Sequence, residues 1–245
     1  MLTEELLIEY AEHYETKDFI NGDPSLFMHK VEKDADKETM AFLASCLSYG
    51  NRQQFMPKIQ MLLTIADGNV HDWVLTGNFK NDIPDDANKC FYRLYTYHTM
   101  FDLLCALQTM LQQYGTIGAF IKANANDGLS AVRAITSYFS QKGIETIIPK
   151  NTNSACKRVC MFLRWMVRDN SPVDLGLWSG FIDKRTLIIP LDTHVMQQAC
   201  RLGLIDSKTS SMSTAIKLTK RLSDFFPEDP LKGDFALFGY GVNNK

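Results

Sequence analysis

Apolar residues return every three or four positions along most of the chain, the spacing of helices with one buried face. Residues 3–16 carry Leu6, Leu7, Tyr10 and Tyr14 on one stripe, with Thr3 placed to cap it. Asn21-Gly22-Asp23-Pro24 reads as a turn. Residues 36–49 form the next helix, with Met40, Leu43, Ala44 and Leu47 inward and acids in the first turn, where they suit the helix dipole. Gly50 ends it, and Asn51-Arg52-Gln53-Gln54 makes a polar corner before a helix over 55–66. From residue 70 the period weakens, with a loop over 78–88. Residues 91–114 read as one long helix rich in aromatics and leucine, followed by helices over 117–123 and 129–140. Period-two alternation of β-branched residues is almost absent. The pattern predicts an all-α protein of about ten helices without an internal repeat.

The second half follows the same period. Ser154 is placed to cap a helix that runs through Arg168. With Lys157 as the reference direction, Met161, Arg164 and Arg168 fall within about 40° of it, at 100° per residue. Ala155, Val159, Phe162, Leu163 and Met166 point away. The pattern therefore predicts one buried face and, opposite it, a column of three cations suited to phosphates. A polar insertion over 169–185 and an apolar run over 187–189 lead to Pro190-Leu191-Asp192, with Asp192 as the cap of a helix over 193–202. Helices over 211–226 and 231–238 complete the series, the last stopped by Gly239-Tyr240-Gly241.

Composition changes this picture little. The chain is 45% apolar and 22% charged, ordinary for a globular protein, with no window of 18 uninterrupted apolar residues to span a membrane. The acidic, amphipathic start does not read as a secretory signal. Six cysteines at 46, 90, 105, 156, 160 and 200, several within apolar helical patterns, read as reduced core residues of a cytoplasmic protein. Cys156 and Cys160 are spaced i, i+4 but lack two further ligands nearby, so no metal site is expected. Charge adds more. The net is −2, yet residues 1–40 hold eleven acids against four lysines, whereas residues 142–168 hold six basic residues against Glu145 alone. A polyanion answers to that local patch rather than to the sum.

Lys157 in Ala155-Cys156-Lys157-Arg158 and Asp192 in Leu191-Asp192-Thr193-His194 carry a resemblance to the helix-hairpin-helix superfamily of base-excision DNA glycosylases. Asp234-Phe235-Ala236-Leu237-Phe238-Gly239 is similar to the late helix of that family. Leu47-Ser48-Tyr49-Gly50 resembles the end of an early helix whose following loop probes the duplex. The whole chain is also similar to a bacterial family linked to that superfamily by likeness, and the archaeal 8-oxoguanine glycosylases are the nearest characterised members. The resemblance implies one all-helical domain over 1–245, in two lobes with a central cleft lined by 154–203. It implies Lys157 as nucleophile and Asp192 as its carboxylate, with Asn51, Arg52, Arg158, Arg164, Arg168 and His194 on the DNA. No cysteine follows Cys200, so the iron–sulfur cluster of some members is not implied, and no cofactor is. Two departures stand out. The glycine-rich hairpin before the lysine is replaced by Ile148-Pro149-Lys150-Asn151-Thr152-Asn153, and Lys157 and Asp192 lie 35 positions apart.

The implied chemistry begins with extrusion of a damaged nucleotide from the duplex, because its sugar carbon is unreachable inside the stack. A neutral lysine amine then attacks that carbon, expels the base and forms a Schiff base, while the carboxylate stabilises the positive sugar. Trp165 and Trp178 are candidates to stack on the extruded base. Two other readings stay open: a binding module for nucleic acid or protein on the same fold without catalysis, and hydrolysis of an N-glycosidic bond in a free nucleoside or RNA. Neither the lesion nor the oligomeric state follows from the sequence.

Overall fold

The computed structural model describes residues 2–207 and 209–243. Among them the elements run α1 (Leu2–Tyr14), α2 (Asp34–Leu47), α3 (Arg52–Ile65), α4 (Val70–Leu75), α5 (Phe79–Asp82), the strands β1 (Cys90–Tyr92) and β2 (Tyr95–Thr96), α6 (Tyr97–Tyr114), α7 (Ile117–Asn124) and α8 (Gly128–Gln141). They continue with α9 (Lys157–Val167), α10 (Thr193–Arg201), α11 (Met212–Leu222) and α12 (Lys232–Asn243). The 3-10 stretches Lys17–Ile20, Pro24–Lys30 and Lys184–Thr186 fill three connections. The protein is all-α, and among the described residues the strands are confined to one two-stranded hairpin. No helix of the described residues is long and apolar enough to cross a membrane.

The chain divides into two compact units. The first comprises Met1–Asp23, Asn126–Arg133 and Asn151–Lys245, so residues 154–203 fall wholly within it. Here α12 packs on α1 and α10. Leu7, Trp165, Met166, Ile189, Ala199, Leu218, Leu231 and Ala236 are fully buried. The second unit, Pro24–Ala125 and Ala134–Lys150, is built on α2, which packs against α3, α4 and α7. Two acids of α2 are buried as acceptors: Asp36 takes the His71 amide at 2.8 Å and Glu38 the Gly118 amide at 2.9 Å. Each carboxylate thus meets a donor in the first turn of another helix, where the backbone has no partner of its own.

Three differences from the sequence pattern have local causes. The helix expected over 91–114 starts at Tyr97, because Thr96 and Thr99 form a reciprocal capping box. The aromatic residues before it, Phe91, Tyr92 and Tyr95, are strand formers and make the hairpin, with Arg93 left-handed at its turn (φ 52°). The weakly periodic stretch from residue 70 holds the short helix α4, and the loop expected over 78–88 opens with the one-turn helix α5. The last helix does not stop at Gly239 but runs to Asn243. A Cβ at Gly239 would lie 2.3 Å from the Tyr14 ring, so that glycine serves the close approach of α1 and α12 and not a helix stop.

Gly128 does comparable work at the segment that delivers Asp192. Its amide donates to Thr186 Oγ1 at 2.9 Å, and a Cβ there would stand 2.4 Å from the Thr186 carbonyl oxygen and 2.8 Å from the Leu187 Cα. Both are backbone atoms and cannot swing aside. Gly128→Ala is expected to destabilise the protein by about 1–3 kcal/mol despite the better helix propensity of alanine. Urea unfolding checks this: a midpoint at or above that of the wild type would show that residues 186–187 yield freely.

Candidate active site

Lys157 is the first residue of α9 and Asp192 the residue before α10. The fold brings them together: Lys157 Nζ lies 3.7 Å from Asp192 Oδ2, with the two side chains 35% and 37% exposed. That is a charge contact open to solvent, longer than a hydrogen bond, so the amine is near the carboxylate without being locked to it. Asp192 is fixed from the other side. Its Oδ1 accepts the Val195 amide at 2.9 Å, which caps α10 and leaves Oδ2 turned to the lysine.

The approach to Lys157 differs from the one the sequence suggested. Ser154 does not cap α9; it pairs as an isolated bridge with Ser211, and the helix begins three residues on, at Lys157. Cys156 takes the N-cap position in a left-handed conformation (φ 47°, ψ 39°) without a side-chain cap bond. Asn151 Oδ1 accepts the Asn153 amide at 3.0 Å, and the Asn151 carbonyl lies 3.4 Å from Cys156 Sγ. An Asx turn and one strained, buried cysteine therefore make the bend that glycines would make elsewhere. Burial pushes the Cys156 and Cys160 thiols up, which keeps them protonated and poor competitors of the amine as nucleophiles.

The column of cations is corrected. Lys157, Arg164 and Arg168 do share a face of α9, but below Lys157 that face is interior: Arg164 is 5% exposed and Arg168 fully buried. Both are taken up by carboxylates the sequence pattern left unassigned. Arg164 Nε meets Asp174 at 3.3 Å, and its Nη1 donates to Asp234. Arg168 binds Asp229 through Nε at 2.9 Å and Nη2 at 2.8 Å, reaches Glu15 at 2.7 Å, and donates to Asp174 through Nη1. The Phe235 ring lies under both guanidiniums, 4.6 Å and 5.3 Å from their carbons. Neither arginine is therefore available to phosphate. Burial works against their charge, but the carboxylates outweigh it and hold both above the usual arginine range. Burial also pushes the Asp174 and Asp234 carboxyls up, against the pull of the arginines. Asp234 further feels Asp192, which raises it, and Lys157, which lowers it.

The other candidates are distributed between the units. In the first, Arg158 is half-buried beside Lys157 and His194 is exposed in the first turn of α10. Trp165 and Trp178 are 0% and 1% exposed, and Trp178 stands edge-on to Phe162 at 5.2 Å, so both belong to the core and not to a base-stacking platform. The insertion over 169–185 folds back on α9: Leu175 and Trp178 amides donate, each at 2.7 Å, to the Trp165 and Met166 carbonyls. In the second unit Asn51 caps α3 through the Gln53 amide at 2.9 Å, and Arg52 is exposed at the first helical position. The hairpin turn stands next to them. Tyr92 Oη donates to the Tyr49 carbonyl, Arg93 lies over the Tyr49 ring at 5.1 Å, and Leu94 at the tip is 80% exposed. Only the strand-forming aromatics around Arg93-Leu94 could have signalled that tip.

The fold and this pair define a class: an all-α protein with an amine and a carboxylate at two neighbouring helix starts. A family model described as "Protein of unknown function (DUF2400)" matches residues 23–243, nearly the whole chain, and the protein belongs to that family. No curated protein and no solved structure matches the chain.

The buried cluster yields a stability prediction. Arg168→Ala would leave Asp174, Asp229 and Glu15 facing one another without their shared cation, which should cost about 3–5 kcal/mol. Thermal unfolding of the variant tests it, and a loss below ~1 kcal/mol would show that the three carboxyls are solvated or protonated without strain.

Proposed function

We propose that the protein is a DNA repair glycosylase with lyase activity, excising an oxidised or otherwise damaged base from duplex DNA. The observation that carries the reading is the meeting of Lys157 and Asp192 across 35 residues of chain, in contact with solvent. Such an arrangement suits an amine that attacks the sugar carbon and a carboxylate that stabilises the positive sugar as the base departs. No metal or cofactor enters this chemistry. A cytoplasmic site of action goes with a DNA substrate.

On this reading Asn51, Arg52 and the hairpin tip form a separate contact to the duplex. Arg93 and Arg52 supply cations, and Leu94 is an apolar side chain of the kind that enters a base step and unstacks it. Burial of Arg164 and Arg168 favours a second reading, hydrolysis of an N-glycosidic bond in a free nucleoside or RNA, which needs less basic surface.

Borohydride trapping on duplexes bearing a panel of lesions separates these readings. Wild type should form a covalent adduct and release base on at least one lesion, and Lys157→Gln should form none. Turnover of free nucleosides without any adduct would favour the second reading. Duplex binding without turnover would point to a module that has lost catalysis. Leu94→Ala should weaken capture of lesion duplexes about tenfold or more while leaving single-stranded substrate unaffected. Equal losses on both would remove Leu94 from the base stack.

A further inference from the structure

We propose that an apolar groove beside α11 is a docking site for an acidic peptide segment that carries a bulky apolar side chain. The groove has a volume of about 320 Å³ and lies wholly within the first unit. Leu187, Ile188 and Pro230 line it as buried residues, Leu129 in the first turn of α8 as a half-buried one, and Ile216 of α11 as an exposed one, at 40%. Its cations are Arg185 and Lys220, both exposed. The inference stands apart from the repair reading, because no lining residue belongs to the Lys157–Asp192 pair or to the DNA contacts named with it.

An isolated exposed isoleucine needs no partner. Ile216 is different because it edges a concave surface backed by buried apolar residues, the usual form of a binding site. Charge selects the occupant. With Ile216 as the reference direction, Lys220 lies about 40° away at 100° per residue, so an apolar side chain and an ammonium share one edge of the groove. Helix α11 carries Lys217, Lys220 and Arg221 and no acid. Arg221 is spent on Asp224 at 2.7 Å, and Arg185 on Asp183 at 2.6 Å with Glu228 at 3.9 Å. Each of these acids thus faces an arginine, whereas the Lys217 and Lys220 ammoniums have no hydrogen bond or ion pair among the described residues. The unspent charge is positive. A partner that seats a side chain in the groove takes water from Lys220 and must supply a carboxylate in return. Duplex DNA supplies anions but no apolar side chain for the lining; an acidic peptide supplies both.

Fluorescence anisotropy on the full chain tests this with a panel of fluorescein-labelled peptides in which leucine, isoleucine or phenylalanine is flanked by aspartate and glutamate. At least one should bind the wild type, and its counterpart with serine at the apolar position should bind about tenfold more weakly or worse. Ile216→Asp and Lys220→Glu both change exposed side chains and should fold. The first should weaken binding about tenfold, the second several-fold. Lys220→Glu should in turn gain affinity for the peptide whose acids are replaced by lysines. No binding of any member by the wild type, equal binding of the serine peptide, or unchanged affinity in both variants would overturn the proposal. Displacement of the peptide by undamaged duplex would also overturn it and make the groove a nucleic-acid contact. A light-scattering mass that doubles for the wild type and not for Ile216→Asp would overturn it in favour of a second copy of the chain. None of these readouts needs a lesion or turnover, so the outcome is independent of trapping at Lys157.

Discussion

Everything in the first unit converges on one face of α9, where two guanidiniums are buried among four carboxylates. Glu15 follows α1, Asp174 sits in the insertion, and Asp229 and Asp234 flank and open α12. A guanidinium taken out of water needs charged, hydrogen-bonded partners, so each of these segments is tied to α9 in one register. Against an apolar core of equal volume the net stabilisation is small. The larger consequence is specificity, since any other packing would strand a charge in a low-dielectric interior. Phe235, with its ring under both cations, joins this ionic cluster to the surrounding apolar core.

The candidate site is the solvent end of that same face. Lys157 sits where α9 begins, and Asp192 arrives because residues 187–191 are buried and held: the Ile189 amide donates to Thr219 Oγ1 at 3.0 Å, and Thr186 is pinned against Gly128. The amine is therefore placed by the interior and not by its own contacts. Its backbone is led in by a left-handed cysteine, a conformation that costs about 1–2 kcal/mol and persists only where the surroundings impose it. The surroundings here are local: the buried Cys156 thiol lies 3.4 Å from the carbonyls of both Asn151 and Ser154.

Much of this was legible in the residues alone. The 3.6 period located most helices, and Asp192 was readable as a cap because a short carboxylate before an apolar-periodic run has few other uses. The shared face of Lys157, Arg164 and Arg168 was also correct as geometry. Its direction was not, because periodicity says which residues lie together and not which side meets protein. Arginines at helical spacing look like a solvated face until four carboxylates, separated from them by up to 153 positions, turn out to fold over them. Gly239 misled in the same way: a glycine near a helix end reads as a stop, and only the Tyr14 ring shows that it is a contact.

From its sequence the chain determines an all-α architecture, the caps of its helices and the residue types available for chemistry, because these depend on neighbours within a few positions. Tertiary structure alone decided that Lys157 meets Asp192, that Arg164 and Arg168 are interior, and that Leu94 projects from a hairpin. Each depends on groups far apart in the chain whose pairing is settled by burial. Desolvation energy, which no local pattern records, made the difference.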